Sequence, residues 1–156
     1  MRKVSLPTLP LTGGCQCGAV RYEARAAPYV FYLCHCKECQ RQTSSAFGES
    51  LRFRAKDVDV TGPAKIFRRL SESGKQREGY FCGECGVRVL HGATGADMVN
   101  IKAGTLDDAS WLAPAGHIWT RSKQAFVKFE RGDLVYETQP DDGYAALAER
   151  WRAMLE

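Results

Sequence analysis

The chain has 156 residues, of which 44% are hydrophobic and 26% charged, and a formal net charge of +4. Such values describe one globular domain and exclude a disordered, collagen-like or membrane-spanning chain. A charge this small does not call for nucleic acid as a partner.

Arg2 and Lys3 precede a short apolar stretch, but Pro7 and Pro10 interrupt it. It is therefore not read as a secretory leader, and the expected location is cytoplasmic. Beyond it the chain shows short runs of period two, the mark of half-buried strands. Val20, Tyr22 and Ala24 alternate with Arg21, Glu23 and Arg25. Tyr29 to Leu33 is an apolar run entering a group of cysteines, and Lys37 to Thr43, free of Gly and Pro, predicts a short helix after them. Leu51 with Phe53, Val58 with Val60, Ile66 with Phe67, and Tyr80 with Phe81 predict further strands, as do Val87 to Leu90 and Met98 to Ile101. Phe126 to Phe129 and Leu134 to Tyr136 read the same way. The end differs: Tyr144, Leu147, Ala148, Trp151, Met154 and Leu155 recur at helical spacing, with Asp141 or Asp142 placed to cap the start. The expected fold is mainly β, with small antiparallel sheets stitched by metal and a C-terminal helix. Residues 1–138 are expected to form a zinc-binding domain and residues 139–156 a helical extension, which packs on the domain or supports a homodimer.

Seven cysteines fall in three clusters: Cys15 with Cys17; Cys34, Cys36 and Cys39; and Cys82 with Cys85. Structural thiols scatter, whereas spacings of two and three residues suit metal ligation. A dithiol redox reading expects one C-x-x-C in a strand–helix unit, not two accompanied by further thiols. Tetrahedral zinc takes four ligands in a closed structural site and three in an open catalytic one. Joining the two pairs gives four thiolates at Cys15, Cys17, Cys82 and Cys85 and leaves an open trio at Cys34, Cys36 and Cys39. Any other grouping of intact clusters into two sites puts five thiols on one metal and two on the other. Two zinc ions per chain are expected, which bring the formal charge close to neutral.

Three motifs now carry a resemblance: Gly13-Gly-Cys15-Gln-Cys17-Gly18, Cys34-His-Cys36-Lys-Glu-Cys39-Gln-Arg41 and Phe81-Cys82-Gly-Glu-Cys85-Gly86. Together they resemble the glutathione-dependent formaldehyde-activating enzyme family, which also includes centromere protein V. Pro114-Ala-Gly-His117-Ile118 and Ser122-Lys123 are similar to its later pattern. The resemblance implies a β-tent fold. It implies structural zinc at Cys15, Cys17, Cys82 and Cys85, and catalytic-type zinc at Cys34, Cys36 and Cys39. The implied reaction is addition of glutathione to formaldehyde, giving S-hydroxymethylglutathione, filed as a carbon–sulfur lyase. Departures lie beside the trio. Gln40 stands where the family commonly has Arg, Ser44 where it has Gly, and Phe126 near a common Trp.

The chemistry fits an open zinc. A free thiol, with a pKa of ~8.5, is mostly protonated at neutral pH, and coordination deprotonates it. Zinc already bound by three thiolates is a poor Lewis acid toward a carbonyl, so thiol activation is expected over carbonyl polarisation. The partner is then a small thiol such as glutathione. His35, His91 and His117 are candidates for proton transfer, or for a fourth ligand that would close the site. His35, if its segment is extended, points away from the metal. Arg41 and Arg52 are candidates to meet substrate carboxylates. Trp111 and Trp119 are read as core or pocket wall. An open trio is also expected to be the more easily oxidised site. The competing reading is a zinc-stabilised binding or scaffold protein without turnover. Nucleic-acid binding through Arg52, Arg54, Lys56, Lys65, Arg68 and Arg69 is the weakest reading, with no interleaved aromatics to stack bases.

Overall fold

The computed structural model describes residues 1–156. β1 (Leu11–Gly14), β2 (Arg21–Ala24) and β5 (Val58–Thr61) form a small antiparallel sheet with β2 in the centre. A larger sheet holds β3 (Val30–Cys34), β4 (Gly48–Arg54), β6 (Ala64–Leu70), β7 (Gln76–Cys82), β8 (Arg88–Ala93), β9 (Met98–Lys102), β10 (Gly116–Ile118) and β11 (Leu134–Val135). Its order is β11-β10-β3-β4-β9-β8-β7-β6. Neighbours run antiparallel except β10, which is parallel to both β3 and β11. The fold is thus mainly β with a C-terminal helix.

Alternation is realised in β2, where Tyr22 and Ala24 are buried and Arg21 and Glu23 exposed. The apolar run in β3 is buried along its whole length, as befits a strand covered on both faces. α1 (Lys37–Thr43) occupies the span read from sequence. In α2 (Ala145–Met154) the side chains of Leu147, Ala148, Trp151 and Met154 are buried along one stripe. The Asp142 carboxylate accepts from the N–H groups of Tyr144 (3.0 Å) and Ala146 (2.9 Å), which caps the helix start. Val4, buried, bridges to Leu155 just past the helix, so both ends of the chain join one core.

One predicted strand is absent. Phe126 to Phe129 is irregular: Val127 N–H bonds back to Gln124 O (3.1 Å) and closes a turn, and Phe126 is 71% exposed. β11 holds the ladder position beside β10, and this segment joins no strand ladder. The basic residues of the weakest reading do not form one stripe. Arg52 and Arg54 lie on β4, Lys65, Arg68 and Arg69 on β6, and three strands separate them. At ~4.8 Å per strand that is roughly 19 Å. No helix is long and apolar enough to cross a membrane.

Candidate metal centres

Each thiol cluster sits where a strand ends. Cys15 and Cys17 lie in the turn from β1 to β2, and Cys82 and Cys85 in the hairpin from β7 to β8. Both turns close alike: Cys15 N–H bonds to Val20 O (3.0 Å) and Cys82 N–H to Val87 O (3.0 Å). Each cluster is followed by a glycine, Gly18 and Gly86, both at φ +80°. A side chain there would be strained, which accounts for glycine after each thiol pair. The turns bring four sulfurs within 4.8 Å of one another across 65 residues of chain. Cys15 Sγ lies 3.6 Å from Cys17 Sγ, and Cys17 Sγ 3.8 Å from Cys82 Sγ. A tetrahedron with Zn–S bonds of ~2.3 Å has S···S edges of about 3.8 Å, so the cluster fits zinc. Backbone N–H groups already point at the sulfurs, Val20 to Cys15 (3.2 Å) and Glu84 to Cys82 (3.3 Å). Burial opposes ionisation of Cys15, but the Val20 N–H and the neighbouring thiols outweigh it and hold its pKa at about 6.

The second cluster is built around a helix start. Cys34 ends β3, Cys36 is the N-cap of α1, and Cys39 lies in its first turn. Cys36 Sγ accepts from Cys39 N–H (3.3 Å), and Cys39 Sγ from Gln42 Nε2 (3.5 Å). The three sulfurs lie within 4.8 Å of one another, and no further His, Cys, Asp or Glu donor joins them. Without a cation, one thiolate is favoured at its neighbours' expense. Hydrogen bonds from Cys34 and Cys39 bring Cys36 down to about 2, whereas the contacts with Cys36 and Cys39 push Cys34 far up. A divalent metal removes that conflict by stabilising all three anions. The 4 + 3 grouping derived from ligand counts is therefore the grouping in space. Exposure does not follow expectation: Cys34 and Cys39 are buried, whereas Cys17 of the four-thiol cluster is exposed. Access alone thus favours oxidation at Cys17, not at the trio.

A cavity of about 570 Å³ is lined by the α1 end (Gln42 to Ser45), Glu49, Arg88, Lys102 and, from the four-thiol cluster, Cys85. No trio cysteine is on its wall, and Gln42, which donates to Cys39 Sγ, links it to the trio. Ser44 lies on its wall and adopts φ 53°, ψ 36° as the helix C-cap. That left-handed geometry explains why glycine suits this place. Gln40, at the other departure, is buried; its Nε2 donates to His35 O (2.8 Å) and Ser122 O (2.9 Å), which ties α1 to the ligand loop. Of the residues proposed to meet carboxylates, neither lines the cavity. Arg41 is exposed on α1 beside Glu38, and Arg52 lies over the Tyr144 ring at 4.7 Å. Trp111 packs on Trp151, and Trp119 bonds to Gln139 Oε1 (3.2 Å).

None of the three histidines joins the thiols. His35 turns away from them, as extended backbone requires, and its Nε2 lies 2.9 Å from His117 Nδ1. His117 Nε2 in turn lies 3.3 Å from Asp133 Oδ2, and Arg150 lies beyond at 3.6 Å from Oδ1. This buried chain pins the β3 end to β10 and the β11 segment. His91 on β8 is half-buried, and its Nδ1 is enclosed with no partner. Burial, aided by the cationic neighbours Lys102 and Arg88, holds the His91 ring well below its usual range, and burial lowers His117 too. In the unfolded chain these rings take up protons near pH 6.5. As pH falls below about 6.5 the unfolded state binds more protons than the folded one, so stability present above that pH is lost. Urea midpoints are expected to drop from pH 7.5 to 5.5 at saturating zinc, and His91→Leu is expected to flatten that slope. Equal slopes in both proteins would mean that His91 is not held neutral.

Residues 10–122 match the family described as glutathione-dependent formaldehyde-activating enzyme. The chain belongs to that family. As a member of the formaldehyde-activating family, it carries a glutathione- and formaldehyde-related function at the level the family defines, and both its thiol clusters are able to hold zinc. The crystal structure of a Rhodobacter sphaeroides protein is similar in fold, with a TM-score of 0.52 and 17% identity over 81% of this chain and 99% of that one. No curated protein matches the chain. Two cavity residues of this family member, Lys102 and Arg88, escaped the sequence reading. A lysine and an arginine in strands read as solvated charges, and only strand register turns them inward.

Proposed function

We propose that the protein is a zinc-dependent carbon–sulfur lyase acting on a small thiol adduct, with glutathione and formaldehyde giving S-hydroxymethylglutathione as the leading case. One observation carries this reading: three thiols converge with no fourth protein donor, and Gln42, which donates to one of them, borders a cavity of about 570 Å³. Zinc held by Cys34, Cys36 and Cys39 would supply deprotonation of a substrate thiol. The start of α1 orients the ligand sulfurs, Gln42 donates to one of them, and the cavity receives the body of the thiol. In the addition, sulfur bonds to the aldehyde carbon, the carbonyl π pair moves to oxygen, and the proton given up by the thiol returns to that oxygen. The four-thiol cluster at Cys15, Cys17, Cys82 and Cys85 takes a second, structural zinc. Residues 1–138 supply all the ligands, and residues 139–156 act as a helical extension that closes the core. A cytoplasmic location, where thiols stay reduced, suits this chemistry.

Glutathione added to cobalt-substituted protein is expected to increase sulfur-to-cobalt charge-transfer absorption. Exchange between free formaldehyde and its glutathione adduct, followed by magnetisation transfer, is expected to exceed the uncatalysed background. Cys36→Ser is expected to abolish that excess with unchanged circular dichroism. If glutathione, cysteine and other small thiols all leave the cobalt spectrum unaltered, thiol activation is wrong, and a zinc-stabilised binding protein without turnover takes its place.

A further inference from the structure

The ladder places an unpaired cation next to the trio. Cys34 pairs with Gly48, and two residues further on the same face Tyr32 pairs with Ser50, which pairs with Lys102. Lys102 therefore projects from Cys34's face of the sheet. Gly48 between them has no side chain. A Cβ at that position would sit 3.3 Å from Cys39 Sγ and 3.6 Å from Lys102 Nζ. The same Cβ would meet Cys39 Cβ at 3.1 Å, so the site is tightly packed; sulfur and ammonium both border this glycine, near enough for one small ligand to meet both.

Lys102 is 5% exposed, and its Nζ has no hydrogen-bond partner and no carboxylate within ion-pair range. Buried ammonium groups without a partner are costly, so a ligand that brings an anion is stabilised there. Burial pulls the lysine below its usual range, and the Cys39 and Cys34 thiols act against that pull. A second cation lines the same cavity. Arg88 Nη1 donates to Gln42 Oε1 (2.9 Å), the amide that also donates to Cys39, while its Nε has no partner. Gly79 leaves the space that the Arg88 guanidinium fills. The one acid on the cavity wall, Glu49, accepts from the Gly104 backbone and forms no ion pair with either cation.

We propose that Lys102, assisted by Arg88, is a specificity-determining anion subsite that selects thiols carrying a carboxylate over neutral thiols. This rests on the thiol-activation reading, and it adds which thiols the site accepts and through which residues. The group meets substrate at its carboxylate while sulfur is held at the trio. A neutral thiol of the same shape leaves Nζ buried without a partner and binds more weakly.

Two probes separate this inference from the reading beneath it. On cobalt-substituted protein, 3-mercaptopropionate is expected to bind at least about tenfold more tightly than its neutral methyl ester, the size of one charge-assisted hydrogen bond. Lys102→Met is expected to bring the two within a factor of about two, and Lys102→Arg to restore most of the preference. Propionate, which lacks sulfur, is expected to shift the backbone amide signals of Gly48 and Lys102 in zinc-loaded wild type and not in Lys102→Met. Propionate binding with no response to any thiol would leave the subsite standing and overturn thiol activation. Equal affinity for acid and ester in the wild type would overturn the subsite. So would an undiminished preference in Lys102→Met, or loss of metal from that variant with the acid-to-ester ratio unchanged, since Lys102 would then only offset the charge of the thiolates.

Discussion

Cys82→Ser and Cys15→Ser are expected to yield insoluble or molten protein, whereas Cys36→Ser is expected to stay folded and to carry about one zinc per chain. The difference follows from what each cluster joins. The four-thiol site ties the β1–β2 turn to the β7–β8 hairpin across 65 residues, and so holds the small sheet against the far half of the large one. The binding energy of a structural zinc, ~10–16 kcal/mol in small metal-folded peptides, rivals the ~5–15 kcal/mol that stabilises a whole domain. Removing one sulfur also leaves three thiols crowded around an incomplete shell. The trio, by contrast, spans six residues at the end of one strand and the first turn of α1, where backbone hydrogen bonds and the buried Gln40 amide hold the loop without metal. Soluble yield, circular dichroism and metal content of the three variants decide the matter. Two zinc equivalents on Cys36→Ser, or a folded Cys82→Ser, would sink the partition.

The metal clusters were legible because ligand chemistry is local: the spacing within each cluster and the arithmetic of coordination number suffice, and the fold has only to bring the turns together. β2 was legible for a similar reason, since one face of Tyr22 and Ala24 is buried and the other face wet. β10 was not, because three residues buried on every side carry no period. β1 is half glycine, and its backbone pairing leaves little trace in side chains. Phe126 to Phe129 failed in the opposite sense: Val127 is buried and Phe129 lies 4.4 Å from the His117 ring, but Phe126 is exposed and the ladder position beside β10 is taken by β11. Lys102 and His35 needed tertiary register. Whether a strand lysine faces water or a thiolate depends on which residue lies opposite, here Ser50, and the sequence alone does not state that.

Trp151→Ala is expected to destabilise the fold more than any other single large-to-small change in the C-terminal helix, and to leave both metal sites intact. Trp151 is 0% exposed. Its ring meets the edge of Phe31 at 6.2 Å and packs near Trp111 at 6.3 Å, and its Nε1 donates to Pro28 O at 3.2 Å. These contacts clamp α2 over the entry to β3, the strand whose far end carries Cys34. Truncating a buried Trp costs about 3–5 kcal/mol through lost transfer energy and the cavity left behind. For a chain of this length that lowers the melting temperature by roughly 10 °C. Trp151→Phe keeps most of the buried ring and loses the bond to Pro28, so it should recover more than half of the loss. Zinc content and thiol response of the folded fraction should match wild type, because Cys34 is held at the other end of β3 by the ladder to Gly48 and by His35 N–H bonding to Ile118 O (3.0 Å). Calorimetry with metal analysis at 20 °C tests both halves. A melting temperature within a degree or two of wild type would show that α2 is not part of the cooperative core, and loss of the trio metal alone would show that the clamp on β3 reaches the site.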